Sequence, residues 1–295
     1  MGKHKDDEIM DLDFIDSSSS GTLSLAEVFF HVKENYASIP VKELIKRGLV
    51  ESSTIPDVAA FFATNLSQAS LYKKSQTKSQ LSGSTWSTIV RHNAQASRMH
   101  GELGDYSPGS LGRKFFTKLT KLSTEPENIL QVKSILAENG IALFYEPAIK
   151  NSGVDGVTGK LPDGTPYIGM SLRHSRLDNF WFTLLHELGH VVLHYDLLDE
   201  PIIDNFDEET GSPSESEIES EANHFALNHL IPLRTWKTSK VFFGKYSDKD
   251  TVVELAKQIG THPAIVAGRV RKEFNDYRVH SDIVHQIDVK DIIWG

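Results

Sequence analysis

His186, Glu187 and His190 form an H-E-x-x-H pattern inside the run Asn179-Phe180-Trp181-Phe182-Thr183-Leu184-Leu185-His186-Glu187-Leu188-Gly189-His190-Val191-Val192-Leu193-His194. On a helix, residues four apart share a face, so both imidazoles reach one metal ion. Glu187 lies beside that face and can move a proton to or from water there. The chemistry implied is hydrolysis by water activated at zinc, with manganese as the alternative ion.

Such a site needs a third protein ligand and one open position. The chain has no cysteine, which excludes thiolates. The longer pattern H-E-x-x-H-x-x-G-x-x-H fails, because the next histidine is His194, four residues after His190. His194 is rotated roughly 80° from His186 at about 100° per residue, so it reads as a helix-end residue. A carboxylate from a second helix is the better candidate. Ser214 and Glu217 form a capping box ahead of Ile218–Leu230, and Pro232 ends that helix. Its apolar face is Ile218, Ala222, Phe225, Ala226 and Leu230. Glu219 has Asn223 one turn later, and that amide can hold a ligand histidine's second ring nitrogen. Glu221 has Phe225 at that offset. Glu219 is therefore preferred as third ligand, with Asn223 supporting it and Glu221 as the alternative. Arg173, His174, Tyr195 and His224 are candidate substrate or oxyanion contacts, which spacing does not rank.

Positioning these groups requires an α+β framework. The metal helix starts near Asp178, read as its N-cap, and buries Phe182, Leu185, Gly189 and Val192 at helical spacing. Upstream, Asn128–Asn139 reads as an amphipathic helix stopped by Gly140. Ile141–Tyr145 and Thr165–Arg173 read as strands around a glycine-rich hairpin region, Gly153–Gly164. A strand just ahead of the metal helix can hold an extended peptide by main-chain pairing. The expected organisation is a disordered tail (1–20), a helical N-terminal region (21–123), a zincin-like peptidase core (124–232) and a C-terminal helical segment (233–295). In the last segment Ala256, Gly260 and Val266 stand at helix-turn-helix offsets, and the second helix carries Arg269, Arg271 and Lys272. A pair of packing helices explains that pattern better than DNA binding. Residues 275–295 are expected to end in a short strand or packed tail anchored by Trp294.

Charge and composition narrow the class further. The chain has 295 residues and a net charge of −9. Eleven acidic residues and no lysine or arginine lie between Asp196 and Glu221, while nine basic residues lie between Lys73 and Lys121. In an acidic chain, the basic stretch reads as a solvated helical surface before it reads as a nucleic-acid site. No apolar run is long enough to span a membrane. The lack of cysteine fits a reducing cytoplasm.

The run Phe180–His194, the segment Glu219–Ala226 ending at Leu230-Ile231-Pro232, and His262–Arg269 together resemble the ImmA/IrrE family of metallopeptidases. The resemblance covers about 125–270. It implies a gluzincin-like zinc site with His186, His190 and Glu219 as ligands and Glu187 as catalytic base. Members of that family typically cleave a helix-turn-helix repressor in mobile-element control or stress response; others adjoin antitoxin-type DNA-binding proteins. The expectation is a cytoplasmic zinc endopeptidase acting on a repressor- or antitoxin-like protein. The rivals are a toxin–antitoxin or prophage regulator that acts by binding, and a DNA-binding regulator.

Overall fold

The computed structural model describes residues 24–65, 78–204, 217–239 and 248–295. The tail 1–20 and the capping position Ser214 lie outside the described residues. The helices described are α1 (Leu25–Asn35), α2 (Val41–Lys46), α3 (Ile55–Asn65), α4 (Lys78–Met99), α5 (Arg113–Lys121), α6 (Ile129–Glu138), α7 (Leu177–Leu193), α8 (Glu217–Leu230), α9 (Leu233–Ser239), α10 (Lys249–Ile259), α11 (Pro263–Phe274), α12 (Ser281–Val284) and α13 (Val289–Trp294). Four strands accompany them: β1 (Ala142–Tyr145), β2 (Gly156–Lys160), β3 (Pro166–Met170) and β4 (Ile202–Asp204). The fold is mixed α+β with a small sheet, as a zincin-like peptidase requires.

The sheet order is β1-β3-β2-β4. β1 runs parallel to β3, and β2 runs antiparallel to both β3 and β4. The glycine-rich hairpin region contains a full strand, β2. β4 falls in the acidic stretch and was not anticipated. Alternate side chains of a strand face opposite sides, and here they serve two cores. Leu143, Ile168 and Met170 join the core that includes α6 and α7. Ala142, Val157 and Tyr167 join the core that includes α1, α3 and α4.

α4 supplies Trp86, Ile89, Val90 and Ala94 to that second core, all essentially inaccessible. A Cβ on Gly169 would approach Val90 Cγ2 to 2.6 Å, so α4 packs directly against the β3 backbone there. On the other face, α7 is buried nearly all round: of its 17 residues only Asn179, Phe182, Val192 and Leu193 are not buried. Of the expected stripe, Leu185 and Gly189 are buried, but Phe182 and Val192 are only partly so, and the buried surface is wider than one stripe. α7 runs between the sheet, α8 and α11, so Phe180, Trp181, Leu184, Leu188 and Val191 are also covered.

Two expected ends also move. The N-cap of α7 is Arg176, not Asp178. Arg176 is extended by a bridge to Asp288, and Asp178 sits in the first turn, paired 3.0 Å from the Arg176 guanidinium. The C-terminal residues form α12 and α13 instead of a strand. Trp294 is partly exposed, and Val289 is the buried anchor. α10 and α11 form the helix pair, joined through Gly260 in the left-handed region at φ +77°. α11 turns Ala264, Ile265, Val266, Ala267 and Val270 into the core. A Cβ on Gly268 would fall 2.3 Å from Asp178 Oδ2, so α11 approaches the start of α7 closely.

Candidate metal centre

α7 and α8 place the predicted residues together. Gly189 makes the close approach: a Cβ there would lie 3.2 Å from Ala222 Cα and 3.3 Å from Phe225. One helix turn separates His186 from His190, and their Nε2 atoms stand 3.0 Å apart. Glu219 reaches over from α8, with Oε2 3.3 Å from His186 Nε2 and Oε1 3.6 Å from His190 Nε2. Both histidines are fully buried.

A fourth donor comes from β4. Asp204 Oδ2 lies 2.9 Å from His186 Nε2 and 3.7 Å from His190 Nε2. Strand register aims it there. Asp204 pairs with Gly156, and paired residues project to the same face of a sheet. Gly156 and Thr158 face Glu187, so Asp204 does too. Sequence reasoning missed this residue. The signal available was slight: two adjacent β-branched residues, Ile202 and Ile203, inside an acidic run.

These four residues fit a metal ion. One donor atom from each can be chosen so that all lie within 4.8 Å of one another. Tetrahedral bonds of about 2.0–2.1 Å from nitrogen and oxygen donors put neighbouring donors about 3.3 Å apart. The separations among His186 Nε2, His190 Nε2 and Asp204 Oδ2, from 2.9 to 3.7 Å, straddle that value, and Glu219 turns one oxygen to each imidazole at 3.3 and 3.6 Å. Asp204 Oδ2 is buried without a hydrogen bond of good geometry, despite its closeness to His186. A buried carboxylate oxygen in that position calls for a cation.

The outer nitrogens are also fixed. His186 Nδ1 lies 3.2 Å from Asn223 Oδ1, so Asn223 is where its position one turn after Glu219 predicted. His190 Nδ1 lies 3.1 Å from His194 Nδ1, and His194 Nε2 lies 2.8 Å from Glu221 Oε2. One proton arrangement satisfies the chain. His194 Nε2–H donates to Glu221, and His190 Nδ1–H donates to His194 Nδ1. His190 Nε2 is then left as a lone-pair donor facing the site. Glu221, the alternative ligand, therefore sits in a supporting position. His194, read as a helix-end residue, is the C-cap residue of α7 and is buried.

Glu187 occupies a separate niche on the sheet side. Its Oε2 accepts a 2.6 Å hydrogen bond from the Thr158 hydroxyl. Its Oε1 has no hydrogen-bond partner among the described residues. A Cβ on Gly156 would come within 1.8 Å of that oxygen, so the niche exists only because residue 156 is glycine. Burial, then the charge of Asp204, pushes the Glu187 carboxyl well above its usual range. Burial acts against a charged His186, but Asp204 and then Glu219 outweigh it and push that imidazole up to about 9. Burial would also raise Asp204, but the two imidazoles hold it well below the ordinary carboxylate range.

The remaining candidates are engaged elsewhere. Arg173 pairs with both oxygens of Asp155, at 2.7 and 2.6 Å, and His174 lies 4.0 Å from the same carboxylate. The Tyr195 hydroxyl donates to Gly164 O at 2.7 Å. His224 is exposed, with Nδ1 2.7 Å from Ser220 O. None belongs to the four-residue donor group.

A small sheet against an H-E-x-x-H helix, with a carboxylate returning from the next helix, is consistent with a zincin-like peptidase fold. Residues 137–270 match the peptidase M78 family model, the IrrE N-terminal-like domain. That match supports an ImmA/IrrE family metallopeptidase, in agreement with the motifs. A search among curated proteins returns no match. Among the described residues, no helix is long and apolar enough to cross a membrane.

Proposed function

We propose that the chain is a zinc-dependent endopeptidase that cuts a regulatory protein of the repressor or antitoxin kind. The observation that carries this reading is Glu187. It is fully buried beside two metal-facing histidines, with one oxygen held by Thr158 and the other unpaired among the described residues. A purely structural metal site has no use for such a group. His186, His190 and Glu219 would hold the ion, and the nitrogen and oxygen donors suit zinc, with manganese as the alternative. When bound, the ion supplies Lewis-acid activation of water and polarisation of the scissile carbonyl.

The chain's own residues do the rest. Glu187 Oε1 takes a proton from the attacking water and delivers it to the leaving amide nitrogen. Thr158 holds the carboxylate in place during both transfers. Asn223 and the His194–Glu221 pair hold the two imidazole rings in register, so that neither turns away between turnovers.

The test is incubation of the zinc-loaded protein with a helix-turn-helix repressor or antitoxin encoded beside it. The expected outcome is discrete cleavage that disappears with a chelator and in Glu187→Gln, which keeps its metal. If Glu187→Gln retains metal and full biological activity, peptide hydrolysis is not the function. A second reading, a metal-stabilised regulator that acts by binding, is favoured by Asp204, because four protein ligands mark a closed site.

The DNA-binding rival has less support. Half of the second helix of the helix-turn-helix-like pair is buried, Arg271 among the buried residues, which takes one of its three basic side chains out of reach of a groove.

A further inference from the structure

We propose that Asp204 is a fourth protein ligand to the ion, and that β4 lies on the sheet edge a peptide substrate would use. Together they hold the enzyme in a self-blocked state until this strand is withdrawn. The inference rests on the metallopeptidase reading above.

Three observations converge on it. The first is coordination. His186, His190, Glu219 and Asp204 each bring one donor atom within 4.8 Å of the others, so a bound ion would find Asp204 in the position that catalysis reserves for water. The second is charge. Asp204 is buried, and its Oδ2 has no hydrogen-bond partner among the described residues. A carboxylate oxygen so placed, facing two buried imidazoles, is matched by a cation.

The third is main-chain pairing. An extended peptide docks on a strand edge by backbone hydrogen bonds, with alternate side chains turned toward the site. β4 does this on β2. It runs antiparallel, with Thr158 opposite Ile202 and Gly156 opposite Asp204. Asp155 N–H donates to Asp204 O at 2.8 Å. Asp204 thus enters the site from the strand whose residues Gly156 and Thr158 frame Glu187. The contact is short, three residues, and Ile203 between its ends is partly exposed. A competing peptide has little to displace. The occupant expected after displacement is an extended peptide with a carbonyl where the Asp204 carboxylate now sits.

The experiment compares wild type with Asp204→Asn and Asp204→Ala. The second variant is included so that a folding defect peculiar to one side chain does not decide the result, and thermal melts in chelator check both. Zinc affinity is measured by chelator competition. Acetohydroxamate, which needs open coordination positions, is titrated into the cobalt-substituted proteins and followed by visible absorption. The variants are expected to bind zinc about 10–100-fold more weakly, a loss at least like that of an outer-shell partner. They are also expected to bind acetohydroxamate at least about tenfold more tightly than wild type, which is the signature of an opened site. If wild type binds zinc but either change is missing in the folded variants, Asp204 is not a blocking ligand, and the peptidase reading stands unaffected. If wild type takes up no zinc or cobalt, the metallopeptidase reading itself falls, and this inference with it.

Discussion

The two faces of one small sheet do opposite work. Toward α4 the strands present Ala142, Val157 and Tyr167 to an apolar core that includes Trp86, Ile89 and Val90. Toward α7, β2 and β4 present Gly156, Thr158 and Asp204 to a buried cluster of imidazoles and carboxylates. The difference is set by alternation along the same strands, since neighbouring residues point to opposite sides. A buried polar cluster costs folding free energy unless every group is paired. The apolar face stabilises the sheet from behind, so the strands can hold that cluster at fixed separations.

Breaking the catalytic side alone gives the largest effect. Glu187→Gln should lower peptide cleavage about 10²–10⁴-fold, with zinc content and melting temperature close to wild type. A parallel loss of metal would show instead that Glu187 is needed to assemble the site. Breaking the opposite face should do the reverse. Trp86→Ala should cost about 3–5 kcal/mol in urea unfolding, while the fraction that remains folded still binds one ion. If metal binding is lost before unfolding, the two faces are more tightly coupled than their packing implies.

The supports of the metal face should give intermediate effects. His194→Ala and Glu221→Gln should each weaken zinc about 10–100-fold, and the double variant should be little worse than the single ones, because both act through one hydrogen-bonded chain to His190. Additive losses would contradict that chain. The smallest change sharpens the comparison on the apolar side. Ile89→Val should cost about 0.5–1.5 kcal/mol and leave zinc affinity unchanged in a chelator titration.

His186, Glu187 and His190 were legible because a helix converts spacing into direction without help from the rest of the chain. Glu219 and Asn223 were legible for the same reason, since four residues on a helix again mean one face. His194 shows where that reasoning stops. Helical phase turned it away from the metal, but α7 ends there and the ring comes to rest on His190 Nδ1. Glu221, weighed as a ligand, is drawn instead to His194. The narrow stripe expected for α7 was also a local reading. It counted one face, whereas the sheet, α8 and α11 cover most of the helix.

What the sequence alone determined is the set of groups available: two imidazoles, the glutamate between them and a second carboxylate, each placed by helical periodicity. What only the tertiary structure decided is how the site is completed. Asp204 belongs to a three-residue strand with no period of its own, and its direction follows from pairing with Gly156, 48 positions earlier in the chain. Gly156 reads as an ordinary turn residue until Glu187 is seen against its Cα. Pairing register between distant strands depends on the whole sheet, so the fourth donor of the cluster emerged only when the chain was folded.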